Sequence, residues 1–235
     1  ARDKDYVQRF RREARAAAKL NHPNIVGVHE VGRDDSIVYI VSDYVEGPTL
    51  ERCLTDVRFT YRETAELCAS IADALHHAHQ EGVIHRDLKP SNILLDEQGD
   101  PHLSDFGLAK RCESESAMTL AGQLIGTPEY MSPEQARGEG KHSDARSDIY
   151  SLGVVAYFLL TGIPPFQGST AIKVLFAHAH ETPVPPSEHA NVPQDLEQVI
   201  LRCLAKQPED RFPDAPALAE ALGTCAAADG WRTRD

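Results

Sequence analysis

The sequence predicts an α+β fold, in which a short part with one helix and two strands precedes a larger and mainly helical part. Three observations support this expectation. Residues Tyr6–Leu20 place apolar side chains along one side of a helix. Two runs rich in β-branched residues, Ile25–Val31 and Ile37–Ser42, then read as strands. Further along the chain the apolar spacing becomes helical, most clearly over Arg62–Gln80.

Composition narrows the classes of protein that this chain can represent. The 235 residues are 41% hydrophobic and 26% charged, which is typical of a globular domain with a full core. The net charge of −12 argues against a nucleic-acid or anionic-membrane surface. The longest apolar run, Leu152–Leu160, is too short to span a bilayer.

Five scattered cysteines without a Cys-x-x-Cys pair favour reduced thiols rather than a disulfide frame or a zinc site. We therefore expect a cytoplasmic location, and a membrane anchor outside this segment stays open. Three histidines lie close together at His76, His77 and His79. Because they do not share one helix face, packing and capping roles are favoured over a metal site.

The remaining elements follow from turn and apolar signals. A turn is predicted around Gly32–Asp35, between the two strands. A hairpin is predicted where Ile93–Leu95 and Pro101–Ser104 flank a polar turn, with Gly99 at positive φ. A nearly charge-free helix starts at Asp148, and such a helix is expected to be buried on all sides.

One stretch concentrates chemically useful side chains. It reads His-Arg-Asp-x-Lys-x-x-Asn from His85 to Asn92, and Pro90 keeps any helix from running through it. The tripeptide Asp-Phe-Gly follows, beginning at Asp105. In this order and spacing the two motifs resemble the eukaryotic-type (Hanks-type) serine/threonine protein kinase family. The segments Tyr130–Gly138 and Asp144–Gly153 resemble bacterial members of that family.

The resemblance implies a two-lobe protein kinase-like fold with a mostly helical C-lobe, and ATP and Mg²⁺ as cofactors. Asp87 would be the catalytic base for a Ser/Thr hydroxyl of a protein substrate, and Lys89 would neutralise the transferring phosphoryl group. Asn92 and Asp105 would hold Mg²⁺. Protein substrates and ATP are then the expected partners, and self-association for autophosphorylation stays open.

Further positions are assigned by the same resemblance. Glu13 stands where the family has the glutamate that pairs with the ATP-holding lysine. Asp43 and Val45 lie at the adenine-binding hinge, with Ser42 at the gatekeeper position just before it. Leu94 would form the apolar floor under adenine.

The segment Gly126–Glu134 resembles the end of the kinase activation segment. There Thr127 would hydrogen-bond the catalytic Asp and Lys, which together with Lys89 indicates a serine/threonine rather than a tyrosine kinase. Glu134 and Arg211 would form a buried structural ion pair. Arg86 would bind an anion, for which a phosphate on Thr119 is the leading candidate, with Ser114 and Ser116 as runners-up.

The chain departs from the family pattern at its beginning. Only twelve residues precede Glu13, and they contain neither a glycine-rich loop nor a lysine on a strand. We therefore expect an incomplete N-lobe at 1–44, a C-lobe at 45–223 and a polar tail at 224–235, in a fragment that is inactive as it stands. The alternative is a truncated protein or pseudokinase that acts as a binding or scaffold module. Small-molecule phosphotransferases share the Asp-x4-Asn loop but lack this activation segment.

Overall fold

The computed structural model describes residues 16–34, 37–56, 58–106, 127–139 and 143–226. Two antiparallel hairpins and seven helices are found in these ranges. The first hairpin joins β1 (Val28–Asp34) to β2 (Ile37–Ser42), and the second joins β3 (Ile93–Leu95) to β4 (Pro101–Leu103). The helices are α1 (Leu50–Asp56), α2 (Tyr61–Gln80), α3 (Pro133–Ala136), α4 (Arg146–Thr161), α5 (Ala171–His180), α6 (Gln194–Cys203) and α7 (Ala215–Ala226).

Strand β1 starts three residues later than the sequence predicts. Residues before it are hydrogen-bonded to the second hairpin instead, since Val26 N donates to Leu103 O at 2.9 Å and Leu103 N donates to Asn24 O at 2.8 Å. The predicted turn at Gly32–Asp35 also begins too early, because the β1–β2 pairing continues to Asp34 opposite Ile37. Of the helix predicted at Tyr6–Leu20, only its end lies within the described ranges.

Helix α2 has a well-defined beginning. Thr60 is its N-cap, and its side chain and that of Glu63 form a reciprocal capping box. The buried face of α2 carries mostly alanine, leucine and isoleucine. This face packs against α7 and α4, which places α2 in the centre of the core.

Helix α4 is buried almost throughout, as its lack of charge predicts. Asp148 in its first turn is fully buried, although a carboxylate is costly to remove from water. The second hairpin has the expected form, with Gly99 at φ 86° in the turn and β3 paired with β4 from Ile93 to Leu103. Both elements place polar groups beside the loop at 85–92.

No helix in the described ranges is long and apolar enough to cross a bilayer. Three of the described cysteines, Cys68, Cys203 and Cys225, are buried.

Candidate active site

Asp87 and Lys89 lie together in the loop that precedes β3. Lys89 Nζ is 3.0 Å from Asp87 Oδ2, and both side chains are about one-fifth exposed. Lys89 Nζ also donates to Thr127 Oγ1 at 3.2 Å. The loop and the segment from Thr127 onward, which are far apart in sequence, therefore meet at one lysine.

Asn92 is tied to both Asp87 and the strand that leads to Asp105. Its Nδ2 donates to Asp87 O at 2.9 Å, and its own carbonyl accepts from Ser104 N at 3.0 Å. Because the amide nitrogen is used in this bond, Asn92 Oδ1 is the atom that can bind a cation. The next residue after Ser104 is Asp105, whose side chain is exposed.

This donor set suits magnesium. Mg²⁺ prefers oxygen ligands, and in nucleotide sites it is held by one or two protein oxygens together with phosphates and water. An amide oxygen from Asn92 and a carboxylate from Asp105 supply such a set. Within the described part of the chain, no group of three or more His, Cys, Asp or Glu side chains is arranged to hold a metal on its own.

His85 links the loop to the segment at Asp105. Burial lowers the pKa of His85, although Asp148 and Asp87 act in the opposite direction, so the ring is neutral at neutral pH. Its Nε2 donates to Ser104 O at 3.0 Å, and its Nδ1 accepts from Asp87 N at 3.4 Å. The ring centroid is 4.7 Å from that of Phe106. His85 thus packs against Phe106 and holds the loop beside Ser104.

Asp148, in the first turn of α4, fixes the backbone of the same loop. The sequence patterns did not predict this role. Its Oδ2 accepts from His85 N at 2.9 Å and from His79 at 2.8 Å, and its Oδ1 accepts from Arg86 N at 2.8 Å. Burial would raise the pKa of Asp148, but the bonds from His79 and Arg86 and the nearby His85 leave it below its usual value. The one available signal was an acidic residue at the start of an otherwise charge-free helix.

Two residues of the site adopt the left-handed backbone conformation, which is uncommon for residues other than glycine. Arg86 has φ 64° and Asp105 has φ 58°. Such strain persists when surrounding contacts fix it, and it is frequent at functional sites. At Arg86 the fixing contacts come from Asp148 on one side and from Gln135, whose Nε2 donates to Arg86 O at 2.8 Å, on the other.

The predicted hinge runs from β2 to α1. Asp43 N donates to Gly27 O at 2.9 Å, and Asp43 Oδ1 lies 2.6 Å from His29 Nε2. Val45 is half-buried and Tyr44 is 88% exposed.

The hinge then packs closely on β3. A Cβ at position 47 would lie 1.8 Å from Leu95 O, so only glycine fits there. Leu94 is half-buried and bridges to Thr49. The hinge and the predicted adenine floor are therefore neighbours.

Ser42 lines a cavity of about 200 Å³ beside the hinge. The cavity is also bounded by Ala17, by residues in or just before the first hairpin and by the segment that follows β4: Ile25, Val26, Val28, Ile40, Ser104, Asp105 and Phe106.

Glu134 and Arg211 form the buried ion pair that the motifs predict. Arg211 Nη2 is 2.8 Å from Glu134 Oε2, and Nη1 is 3.0 Å from Oε1. Burial would raise the pKa of Glu134, but Arg211 and the Ser147 hydroxyl outweigh it and lower the pKa to about 2. The pair ties α3 to the segment before α7.

Several predicted positions lie outside the described residues. These are Glu13, Thr119 and the alternative phosphosites Ser114 and Ser116. Thr127 is described, and its hydroxyl accepts from Lys89. The structure therefore brings together Asp87, Lys89, Asn92 and Thr127, with Asp105 following directly from a residue bonded to Asn92.

Comparison with known proteins agrees with this arrangement. The protein kinase domain family matches residues 1–222. The chain is 44% identical over 221 residues to serine/threonine-protein kinase PknB of Mycobacterium leprae, covering 92% of this chain and 35% of that protein. It is 40% identical over 231 residues to serine/threonine-protein kinase PrkC of Bacillus subtilis, covering 97% of this chain and again 35% of the relative.

A solved structure is similar as well. The chain superposes on the kinase domain of Mycobacterium tuberculosis PknI, solved as a cysteine-to-alanine mutant, with a TM-score of 0.74 and 30% identity, covering 95% of this chain and 79% of that one. The chain spans about a third of the length of the curated relatives that it matches. On its motifs, its fold and these matches, the chain belongs to the protein kinase domain family, and its relatives there include bacterial serine/threonine kinases.

Proposed function

We propose that this chain is the catalytic region of a serine/threonine protein kinase that transfers the γ-phosphate of ATP to a protein hydroxyl. The observation that carries the proposal is the meeting of Asp87, Lys89 and Thr127 through Lys89 Nζ. An acid, a cation and a segment that can border a substrate are what phosphoryl transfer requires, since the reaction depends on positioning and charge neutralisation.

In this proposal Asp87 orients the acceptor hydroxyl and takes its proton. Lys89, 3.0 Å away, balances the charge of the carboxylate and of the phosphoryl group. Asn92 and Asp105 hold Mg²⁺, which neutralises phosphate charge when it is bound. Asp148 and His85 keep these groups in place through the backbone of the loop.

Nucleotide binding is assigned to the hinge. The backbone of Asp43 and Val45 would hydrogen-bond adenine, and Leu94 would contact its face. Glu13 would pair with a phosphate-binding lysine.

We assign the boundary between the two lobes to residues 44–45, with a polar tail from 224. We assign a cytoplasmic location on the basis of cysteine usage.

Control of activity is assigned to the activation segment. A phosphate on Thr119 would add nearly two negative charges near the loop, and Arg86 is the cation proposed to bind it. Autophosphorylation between two copies of the protein would supply this phosphate.

The proposal is tested in the full-length protein that contains this chain. Asp87→Asn should lower phosphorylation of a Ser/Thr peptide by at least about 100-fold, the usual contribution of a general base, and leave Mg·ATP affinity nearly unchanged. Asp105→Ala should weaken Mg·ATP binding as well. Phosphopeptide mapping of the wild-type protein after incubation with ATP should find phosphate on Thr119.

Asp100→Asn is the matched control, because Asp100 is an exposed acid in the turn of the second hairpin. Its activity should equal that of the wild type. Near-normal turnover by Asp87→Asn would refute the assignment of the base. Nucleotide binding without any phosphotransfer by the wild type would favour the pseudokinase alternative, and phosphate found only at other residues would overturn the role of Thr119.

A further inference from the structure

Asp43, the first residue of the hinge, is held through its backbone and through its side chain. Its N–H donates to Gly27 O at 2.9 Å. Its Oδ1 lies 2.6 Å from His29 Nε2. Because a carboxylate only accepts hydrogen bonds, His29 carries a proton on Nε2 and is the donor. Both contacts come from the chain at the beginning of β1, so that part of the chain fixes the residue that follows β2.

An irregularity in the pairing of β1 with β2 places His29 where it can reach Asp43. The residues on either side of His29 pair with Ser42 and Val41, which are adjacent on β2. His29 is therefore one extra residue on β1. Such a bulge leaves the extra residue outside the hydrogen-bonded ladder and can redirect its side chain. Here the side chain bonds the first residue of the hinge.

The absence of a side chain at Gly27 leaves room for the Asp43 carboxylate. A Cβ at position 27 would lie 2.4 Å from Asp43 Oδ2, which is closer than a carbon and an oxygen atom approach without a bond. Gly27 is not one of the glycines with positive φ, so space rather than backbone freedom requires glycine here. The carboxylate thus lies over Gly27, with its other oxygen bonded to His29.

These contacts determine which backbone group of Asp43 can bind a base. Its N–H is already bonded to Gly27 O, so its carbonyl is the group that can face the nucleotide. An acceptor in this place fits the amino group of adenine, whereas guanine has an oxygen at the same position of its ring. Two acceptors that face each other cannot hydrogen-bond, so a fixed carbonyl favours adenine over guanine.

We propose that His29 is a positioning residue for the nucleotide base, because its bond to the Asp43 carboxylate fixes the hinge so that Asp43 O accepts from the amino group of adenine. The inference rests on the proposed function, since it concerns the ATP side of that site. It adds a base-selecting contact on β1, outside the motifs that carry the chemistry.

Three substitutions in the full-length protein test this contact. His29→Gln can place an amide N–H near the position of Nε2, whereas His29→Asn can place one only near the position of Nδ1. Gly27→Ala changes neither partner but puts a methyl group where Asp43 Oδ2 lies. The readouts are the dissociation constants for ADP and GDP, from competition against a fluorescent nucleotide, and hydrogen exchange of the Asp43 amide.

Gly32→Ala is the matched control. A Cβ at position 32 would displace the ring of Tyr39, whose Oη donates to Glu30 at 3.1 Å. Gly32 and Tyr39 face each other on the same hairpin, further from the hinge than Asp43. Loss of this second exposed contact should leave both dissociation constants unchanged.

We expect His29→Asn and Gly27→Ala each to weaken ADP binding by about two- to fivefold, which is the range for an exposed pair, and to leave GDP binding unchanged. His29→Gln should lie closer to the wild type. The double variant should bind ADP no more weakly than either single variant, because both changes remove the same contact. Exchange of the Asp43 amide should become faster in the variants that lose ADP affinity.

The proposal is overturned if the two effects add in the double variant, or if the His29→Asn and His29→Gln proteins bind ADP alike. Equal losses for ADP and GDP would also overturn it, since they would indicate general damage to the N-lobe. Wild-type ADP affinity in Gly27→Ala has the same consequence, even where the His29→Asn protein does not fold.

Nucleotide binding requires no phosphotransfer. A wild-type protein that binds ADP but transfers no phosphate would therefore count against the proposed function and leave this test intact. A wild-type protein that binds neither nucleotide would overturn the inference.

Discussion

The ion pair between Arg211 and Glu134 is almost completely buried. Arg211 is 1% exposed and is the only cation that the described structure places within hydrogen-bond distance of the Glu134 carboxylate. It also donates to the backbone carbonyls of Ala205 and Arg146. Removing it would leave the buried Glu134 carboxylate without its cation, with the Ser147 hydroxyl as a remaining donor, and would take a donor from both backbone carbonyls. This is more costly than the loss of an exposed pair.

We predict that Arg211→Met lowers the free energy of unfolding by about 3–5 kcal/mol at pH 7. Glu134 has a folded pKa of about 2 against an unfolded value of 4.5, so the pair stabilises fully above about pH 4.5. This stabilisation is lost as the pH falls from about 4.5 towards about 2. The difference between variant and wild type should therefore shrink over that range, as measured by urea denaturation at a series of pH values.

Arg146→Met is the matched control for this prediction. Arg146 pairs with Asp144 at 2.7 Å, but both side chains are partly exposed, so its loss should cost less than about 1 kcal/mol. Equal destabilisation by the two substitutions would show that burial does not set the strength of the Arg211 pair.

Strand β2 shows what one element contributes to the site. Ile40 and Ser42 of this strand line the cavity next to Asp105 and Phe106, whereas Val41 between them does not. Alternation along a strand explains the difference, because neighbouring side chains point to opposite faces. The hinge follows directly after this strand, beginning at Asp43.

We predict that Ser42→Met in the full-length protein weakens hinge-binding inhibitors that carry a bulky aryl group towards the cavity. The larger side chain would fill space that the group needs, and the loss should be at least about tenfold, or about 1.4 kcal/mol. ATP affinity should change little. Competition binding against a fluorescent nucleotide measures both effects.

Val41→Met provides the control on the same strand, and it should leave inhibitor affinity unchanged. If the Ser42→Met and Val41→Met proteins bound the bulky inhibitor equally well, Ser42 would not face the ligand.

At the scale of the whole molecule, the described core is concentrated in the helical part. Helix α2 packs against α4 and α7, and α6 packs against both α4 and α7. In contrast, the β1–β2 hairpin pairs with no further strand among the described residues. An isolated two-stranded hairpin is marginally stable in water, and its free edge can pair with other chains.

We predict that the 235-residue chain, expressed by itself, folds stably from Val45 to Leu222 but not in its first 44 residues. Limited proteolysis should cut before the hinge and leave the helical part intact. Phosphotransfer to a protein substrate should be undetectable, because the twelve residues before Glu13 contain no glycine and so no glycine-rich loop to cover ATP.

The full-length protein is the positive control for this experiment. Robust ATP-dependent phosphorylation of a protein by the 235-residue chain alone would contradict the account, as would protection of the first 44 residues equal to that of α2.

Much of the fold could be predicted because its signals are local. The capped helix α2, the β3–β4 hairpin with Gly99 and the buried helix α4 each follow from spacing and turn residues within a short window. The bounds of β1 were predicted wrongly, because residues 24–26 bond to β4, which lies far along the chain. No local pattern records that choice of partner.

The sequence by itself determined the family of this protein and the polar side chains of its loop, since Asp87, Lys89 and Asn92 lie within six residues and are identified by type and spacing. Only the tertiary structure decided what holds that loop. Asp148 accepts from the backbone of His85 and Arg86 across more than 60 residues, and Gln135 donates to Arg86 O from another helix. The physical reason is that a buried polar group must find a partner wherever packing places one, whereas helix and turn preferences are set by near neighbours.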